Sequence, residues 1–385
     1  MMNTIKQLLP GSYRFLADQA HRMRRLRHAL RWVLTACSGK ASTNLPQIFY
    51  GFSRVPAEDE LVSGGMVKIQ RLQTRFPNRP YRFNLLYLSS SNLPEDWETA
   101  LRLAEKKKAS IVLNQDGVAY PAWRPSDWEK INQPLKIVHS KADFVIYQSM
   151  FCKRSADHYL GETRNSWEIL YNAVDTRLFS PAEVDPNPRR LVILIAGSHN
   201  AYYRLETALH TVAILQKDGF HPLLRIAGRL QWISDPSAAR RQILELAQRL
   251  EITNSLDWVG PYTQQQAPHV LRSAHLLLHT QVNDASPGLV VEAMACGLPV
   301  VYSQTGGVPE IVGPDAGIGV PGAESWTKIT PPDPVALAHA VKAVASHWRQ
   351  FAEAARQRAV DHFDLQPWLT RHAEIFSVLL SKPAN

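Results

Sequence analysis

A chain of 385 residues, 45% hydrophobic and 20% charged, exceeds the size at which one core keeps growing, so two globular domains are expected and fibrous or low-complexity classes are excluded. Cys37, Cys152 and Cys296 are too few and too scattered for a disulfide framework or a metal cluster, which suits a reducing cytosol. Most of the net charge of +9 sits in residues 1–45, where Lys6, Arg14, Arg22, Arg24, Arg25, Arg27, Arg31 and Lys40 face only Asp18.

In that leader Leu16, Ala20, Met23, Leu30, Val33 and Cys37 recur at helical spacing, the arginines fall largely elsewhere, and Trp32 lies at the apolar edge. One reading is an interfacial helix on an anionic membrane, peripheral on its cytoplasmic face. The other is a helix packed on the body with a solvated basic face. No aromatics are interleaved with the charges, so no nucleic-acid partner is expected. "LTAC" (34–37) matches a lipoprotein cleavage box, but Arg31 cuts the preceding apolar run too short for a secretion signal.

From residue 46 the chain alternates strand-like and helical segments. "IFYGF" (48–52), "FNLLYL" (83–88), "SIVL" (110–113), "DFVIY" (143–147) and "EILY" (168–171) predict one parallel sheet with crossover helices, over 46–180. Gly64-Gly65 predict a turn after its first strand. Past the proline-bearing linker 179–190 the rhythm restarts with "LVILIA" (191–196), "LLRIA" (223–227), "LDWV" (256–259), "HLLLH" (275–279), "PVVY" (299–302) and "IGV" (318–320), a second domain over 181–360. Helix 333–348 completes it, and 361–385 predicts a helix crossing back to the first domain. The fold class is α/β, with two doubly wound domains.

Ligands of such sheets bind beyond the carboxyl ends of the strands. In the second domain those ends carry Gly197-Ser198, Gly228-Arg229, the 280–288 loop and Thr305-Gly306-Gly307, with Arg204 and Arg229 able to add positive charge. Ser286 as N-cap, Pro287 at the first helical position, Gly297 and Pro299 predict a short helix over 287–296, whose free amides at Gly288 and Leu289 point at the same rim. That helix is apolar on every side except for Glu292, a carboxylate that needs strong donors from the protein or from a ligand. Triphosphatase, dinucleotide and zinc-helix motifs are missing, as are carboxylate clusters for a metal. A diphosphate ester bound without metal or other cofactor remains.

These residues resemble glycosyltransferase family four. The family's Glu-x7-Glu is present as Asp284-x7-Glu292, followed by "EAMACGLPVV" from 292 and "TGGVPEIVG" from 305, and its interdomain signature appears as "NAVDTRLFSP" from 172. The resemblance covers roughly residues 46–385 and implies a GT-B fold and a metal-independent, retaining enzyme. Such an enzyme moves a sugar from a nucleotide-diphosphate donor to a hydroxyl acceptor, which the basic leader suggests is a glycan or a lipid-linked envelope polysaccharide. It implies that Glu292 accepts the two ribose hydroxyls and that Asp284 holds the donor sugar beside the amides of Gly288 and Leu289. Alternatively, Glu292 accepts only protein N–H groups and Asp284 caps its loop.

The chain departs from the family where it reads "GSHNAYYRLE" instead of a Gly-Arg and Lys-Gly pair. Arg204 is the candidate for the diphosphate cation and Arg229 the fallback, beside Gly197 and Ser198. No His follows the first-domain strands, so Asp116 or Gln115 is expected at the reacting centre, against a simple Asp-Gly turn role for Asp116. Gly64-Gly65 resemble the turn that faces donor phosphate and acceptor. The alternatives are a sugar-nucleotide epimerase and a catalytically silent protein that binds a nucleotide-sugar within a polysaccharide assembly complex.

Overall fold

The computed structural model describes residues 32, 34, 35, 37, 38, 45–57, 59, 60, 62, 64–182 and 190–381. The basic side chains of the leader lie outside the described residues. Its described part packs on the body: Trp32 meets the Phe49 ring edge-on at 6.1 Å, and the buried Thr35 hydroxyl donates to the Pro80 carbonyl at 3.1 Å.

The first sheet has strands β1 (Ile48–Phe49), β2 (Leu85–Ser89), β3 (Ser110–Gln115), β4 (Phe144–Tyr147) and β5 (Ser166–Ile169), all parallel and in sequential order. The Val, Ile, Leu and Tyr runs of β2, β3 and β4 are those of strands buried on both faces, while β5 is a more exposed edge strand. Helices α1 (Gly64–Gln73), α2 (Trp97–Lys106), α3 (Trp128–Lys141) and α4 (Met150–Leu160) belong to this half. Residues of α2, α3 and α4 share one core with the sheet, while α1 shares the other with the C-terminal helix. β1 is shorter than the 48–52 expected, because the Tyr50 amide leaves the ladder for Asn78 Oδ1 at 3.3 Å. Gly64-Gly65 open α1 rather than forming a plain turn.

The second half contains β6 (Val192–Ile195), β7 (Ser198–His199), α5 (Tyr202–Lys217), β8 (Leu223–Ala227), β9 (Arg229–Leu230), α6 (Pro236–Arg249), β10 (Leu256–Gly260), α7 (Ala267–Arg272) and β11 (Leu276–His279). It continues with α8 (Gly288–Ala295), β12 (Val300–Ser303), α9 (Val308–Val312), β13 (Gly317–Val320), α10 (Pro334–Ser346), α11 (Trp348–Phe363) and α12 (Leu365–Ser381). Its main sheet runs β10-β8-β6-β11-β12-β13, all parallel, so the winding reverses between β6 and β11. That is the switch point at which such sheets take ligands. The small β7-β9 pair is too short for a periodicity to announce.

α8 is buried from Val290 to Ala295, as its all-round apolar sequence predicts. Its N-cap corrects the expectation. Pro287 occupies that position with no side-chain cap, and the Ser286 hydroxyl instead donates to the Gln148 carbonyl at 3.3 Å. α10 is capped by Asp333, whose carboxylate accepts from the amides of Val335 and Ala336 at 3.2 Å each. The chain crosses between the halves twice, side by side: the Val174 amide donates to the Phe363 carbonyl at 2.8 Å, and the Leu365 amide to the Val174 carbonyl at 3.0 Å. After that crossing α12 buries Trp368, Leu369 and Phe376 against Tyr87 and Leu72 of the first half. No helix among the described residues is long and apolar enough to cross a membrane.

Candidate functional site

A cavity of about 550 Å³ opens between the carboxyl ends of the two sheets. Its second-sheet wall begins where β6 and β8 end in glycine loops. Gly228 has φ +107°, and a Cβ there would overlap the Gly197 carbonyl, so only glycine lets these loops touch. The contact is extended by the pairing of Ser198 with Arg229, and both line the cavity.

Arg204 sits beneath this loop on the first turn of α5, 4% exposed. Nη1 donates to the Ser198 carbonyl at 2.5 Å and Nη2 to the Ala196 carbonyl at 3.3 Å. Nε is buried with no hydrogen-bond partner among the described residues. Burial lowers its pKa, and the nearby Asp284 carboxylate opposes that shift.

The loop carrying Asp284 is held by the Thr305-Gly306-Gly307 stretch. The Gly307 amide donates to the Asp284 carbonyl at 2.8 Å and the Asn283 amide to Thr305 Oγ1 at 2.9 Å. Gly306, at φ +73°, packs so closely that a Cβ would overlap the Asp284 carbonyl. Asp284 Oδ2 lies 3.1 Å from His279 Nε2 at the end of β11. After the loop, Gly288 and Leu289 open α8 on the cavity lining, so amides without intrahelical partners face the space.

Glu292, one turn further along α8, is 5% exposed. It accepts from Arg71 Nη2 at 2.7 Å, with the Gln264 side chain nearby. Burial raises its pKa, and Arg71 and Gln264 oppose the rise. Arg71 comes from the opposite wall, on α1, and its Nη1 donates to the Ala173 carbonyl in the segment joining the sheets.

Lys68, one turn before Arg71, donates to Asp116 Oδ1 at 2.6 Å and to Asn114 Oδ1 at 3.1 Å. Asp116 also accepts from the side chains of Gln148 and Ser91, while its amide donates to Ser90 Oγ at 2.8 Å. Asp116 is therefore the hub of a buried polar network, beyond any turn role. Gln115 is fully buried, donates to the Gly117 carbonyl at 2.9 Å and does not line the cavity, which corrects its candidacy for the reacting centre. Gly64 and Gly65 do line it, with Gly65 packed against Ser91 and Asn92.

The structure thus gathers Asp116, Gly64 and Gly65 on one wall and Gly197, Ser198, Arg204, Arg229, Asp284, Gly288, Leu289 and Glu292 on the other. Sequence reasoning missed Lys68, Arg71 and His279. Lys68 and Arg71 stand three apart in "MVKIQRL" and so share a face of α1, but Gln70 and Gln73 make the helix polar enough that neither stands out. The remaining motif residues join the walls. Asn172 Nδ2 donates to the Ser286 carbonyl at 2.7 Å, and Glu310 accepts the Met150 and Phe151 amides of α4 at 2.7 and 3.0 Å. Trp326 packs on Phe151 and Tyr120 at 5.1 and 5.3 Å between centroids.

Residues 177–359 match the family of glycosyl transferases group 1. That match takes in the second half of the chain. It is 30% identical over 158 residues to a D-inositol 3-phosphate glycosyltransferase of Streptomyces bingchenggensis, covering 40% of this chain and 34% of that protein. It is 23% identical over 181 residues to the phosphatidylinositol N-acetylglucosaminyltransferase gpi3 subunit of Schizosaccharomyces pombe, covering 47% and 38%. These matches take in little more than a third of each curated relative. Among solved structures, sucrose-phosphate synthase of Thermosynechococcus elongatus superposes with a TM-score of 0.65 at 17% identity, covering 81% of this chain and 76% of that one. HepE of Anabaena, in complex with UDP and glucose, gives 0.63 at 17% identity, covering 83% and 84%. The chain therefore has the two-sheet GT-B fold.

Proposed function

We propose that the protein is a retaining glycosyltransferase that moves a sugar from a nucleotide-diphosphate donor to a hydroxyl acceptor. One observation carries the reading: Glu292 lies one helical turn beyond the free amides of Gly288 and Leu289, with Asp284 on the loop before them. A carboxylate suits ribose hydroxyls, helix-terminal amides suit phosphates, and a second carboxylate suits the hydroxyls of the sugar. The HepE complex with UDP and glucose makes a UDP-sugar the first donor to try. Relatives named for inositol phosphate and phosphatidylinositol favour a polyhydroxyl acceptor, glycan or lipid-linked. An anionic membrane surface, met through residues 1–45, is the matching location.

In the reaction the bond from the anomeric carbon to the phosphate oxygen breaks and a bond to the acceptor oxygen forms on the same face. The acceptor proton passes to the leaving phosphate oxygen. Amides of α8 and the positive charge of Arg204 beneath the Gly197 loop stabilise the departing diphosphate, while Asp116 faces the acceptor side. The walls exclude water, the competing acceptor. The test is binding and turnover with UDP-, GDP-, ADP- and dTDP-sugars for wild type and Glu292→Ala. Selective binding of one base, lost in the variant, is expected. A folded wild type that binds none would overturn the reading.

A further inference from the structure

The Glu292 carboxylate is already engaged by the protein. On the nucleotide-sugar reading, on which this inference rests, it accepts two ribose hydroxyls, yet it already receives Arg71 Nη2 at 2.7 Å. A carboxylate offers about four acceptor positions, and a guanidinium pressed against one oxygen also blocks the approach of its neighbours. Ribose and Arg71 therefore compete.

The other cations of the cavity have different employments. Lys68 is held by Asp116 and Asn114, and Arg204 spends Nη1 and Nη2 on the carbonyls of Ser198 and Ala196. Arg229 lies in register with Ser198 on β9. Arg71 keeps Nη1 on the Ala173 carbonyl, but its Nη2 sits on the carboxylate that the ribose is read to take, beside α8. Glu292 stands four residues from Gly288, about 6 Å along the helix axis, within the swing of an arginine side chain.

We infer that Arg71 exchanges partners on donor binding: ribose hydroxyls take Glu292, and the guanidinium moves along α8 to the diphosphate at the amides of Gly288 and Leu289. At the Gly197 loop Arg204 adds charge from beneath while its Nη atoms stay on carbonyls, and α1 of the first domain supplies a guanidinium from across the cleft. Because the diphosphate is then gripped from both walls, Arg71 reports to the first wall that a donor, and not a nucleoside, is in place.

The exchange predicts opposite signs for two ligands. Uridine and UDP, or the corresponding pair for whichever base wild type selects, are titrated into wild type, Arg71→Met, Arg71→Lys and Arg229→Met by calorimetry. Arg71→Met should bind uridine several-fold more tightly, having lost the competitor, and UDP at least tenfold more weakly, having lost the phosphate contact. Arg71→Lys should recover most of the UDP affinity, and Arg229→Met should not tighten uridine. Equal weakening of both ligands in Arg71→Met would mean a merely structural role, equal tightening a plain competitor, and no change no role; each overturns the exchange. If Arg71→Met does not fold, Glu292→Gln gives the converse measurement: the preference for UDP over uridine should rise, and a fall or no change overturns the proposal. A wild type that binds no nucleoside diphosphate sinks the nucleotide-sugar reading itself, and the exchange with it.

Discussion

The Lys68 ammonium and the Asp116 carboxylate form an ion pair 2.6 Å apart, with side-chain exposures of 5% and 15%. Burial pulls the Lys68 pKa down while Asp116 pushes it back up. Leaving one partner alone should be costly: Lys68→Met is expected to lose about 3–5 kcal/mol in urea unfolding. The double variant Lys68→Met/Asp116→Leu should recover to within about 2 kcal/mol of wild type but stay inactive. Full turnover in the stable double variant would remove Asp116 from the reaction.

Arg204→Lys keeps a charge but cannot span the Ser198 and Ala196 carbonyls as a guanidinium does. Turnover should fall about 100-fold, equivalent to about 2.7 kcal/mol of barrier, with the circular dichroism spectrum retained. Unchanged turnover would show that neither the loop nor the leaving group depends on this side chain.

The touching glycine loops are sensitive to a single methyl group. Gly228→Ala combines a strained positive φ with overlap of the Gly197 carbonyl, and should cost about 2–4 kcal/mol. Nucleotide affinity should drop with it, because Gly197 and Ser198 must move. A variant that unfolds at the wild-type urea midpoint would contradict the packing described.

Two buried histidines set an acid limit. Burial pushes His199 down to about 3 and His372 down to about 4. In the unfolded chain both protonate near the ordinary value of about 6.5, so between these limits the unfolded state binds more protons. Stability should therefore fall as the pH drops below about 6.5, by about 1.4 kcal/mol per pH unit for each histidine. Replacing either by Gln should remove one proton from the slope measured by urea unfolding between pH 6 and 4.5. Slopes identical to wild type in both variants would refute the assignment.

For the leader, Trp32 and Thr35 already pack on the first sheet's half, so deletion of residues 1–31 leaves those contacts in place. The truncated protein should keep its melting temperature and lose flotation with phosphatidylserine vesicles. Equal flotation of both forms would refute the membrane role.

Much of this molecule could be read before folding it. Parallel strands buried on both faces announce themselves as apolar runs, and all eleven expected strands overlap β1–β6, β8 and β10–β13. Glu292 stands out because it interrupts an apolar helix. Arg71 does not, since basic residues on a short helix ordinarily face solvent, and its partner lies 221 residues away. Ser286 carried the right side chain for a cap but was drawn off by Asn172 and Gln148 from the other half. His279 was counted as the end of a strand, because nothing local shows that Asp284 folds back onto it.

The paired crossings at Val174 and Phe363–Leu365 have a mechanical consequence. Two strands of chain tied to each other by hydrogen bonds form a single axle, so relative motion of the walls is rotation about a line rather than sliding. Glu310, on the first amides of α4, also accepts from the Tyr171 hydroxyl at 3.3 Å, so it lies near that line, and contacts farther from it feel the larger travel for a given twist. A change at Val174, which does not line the cavity, could thereby loosen the grip on a substrate it never touches.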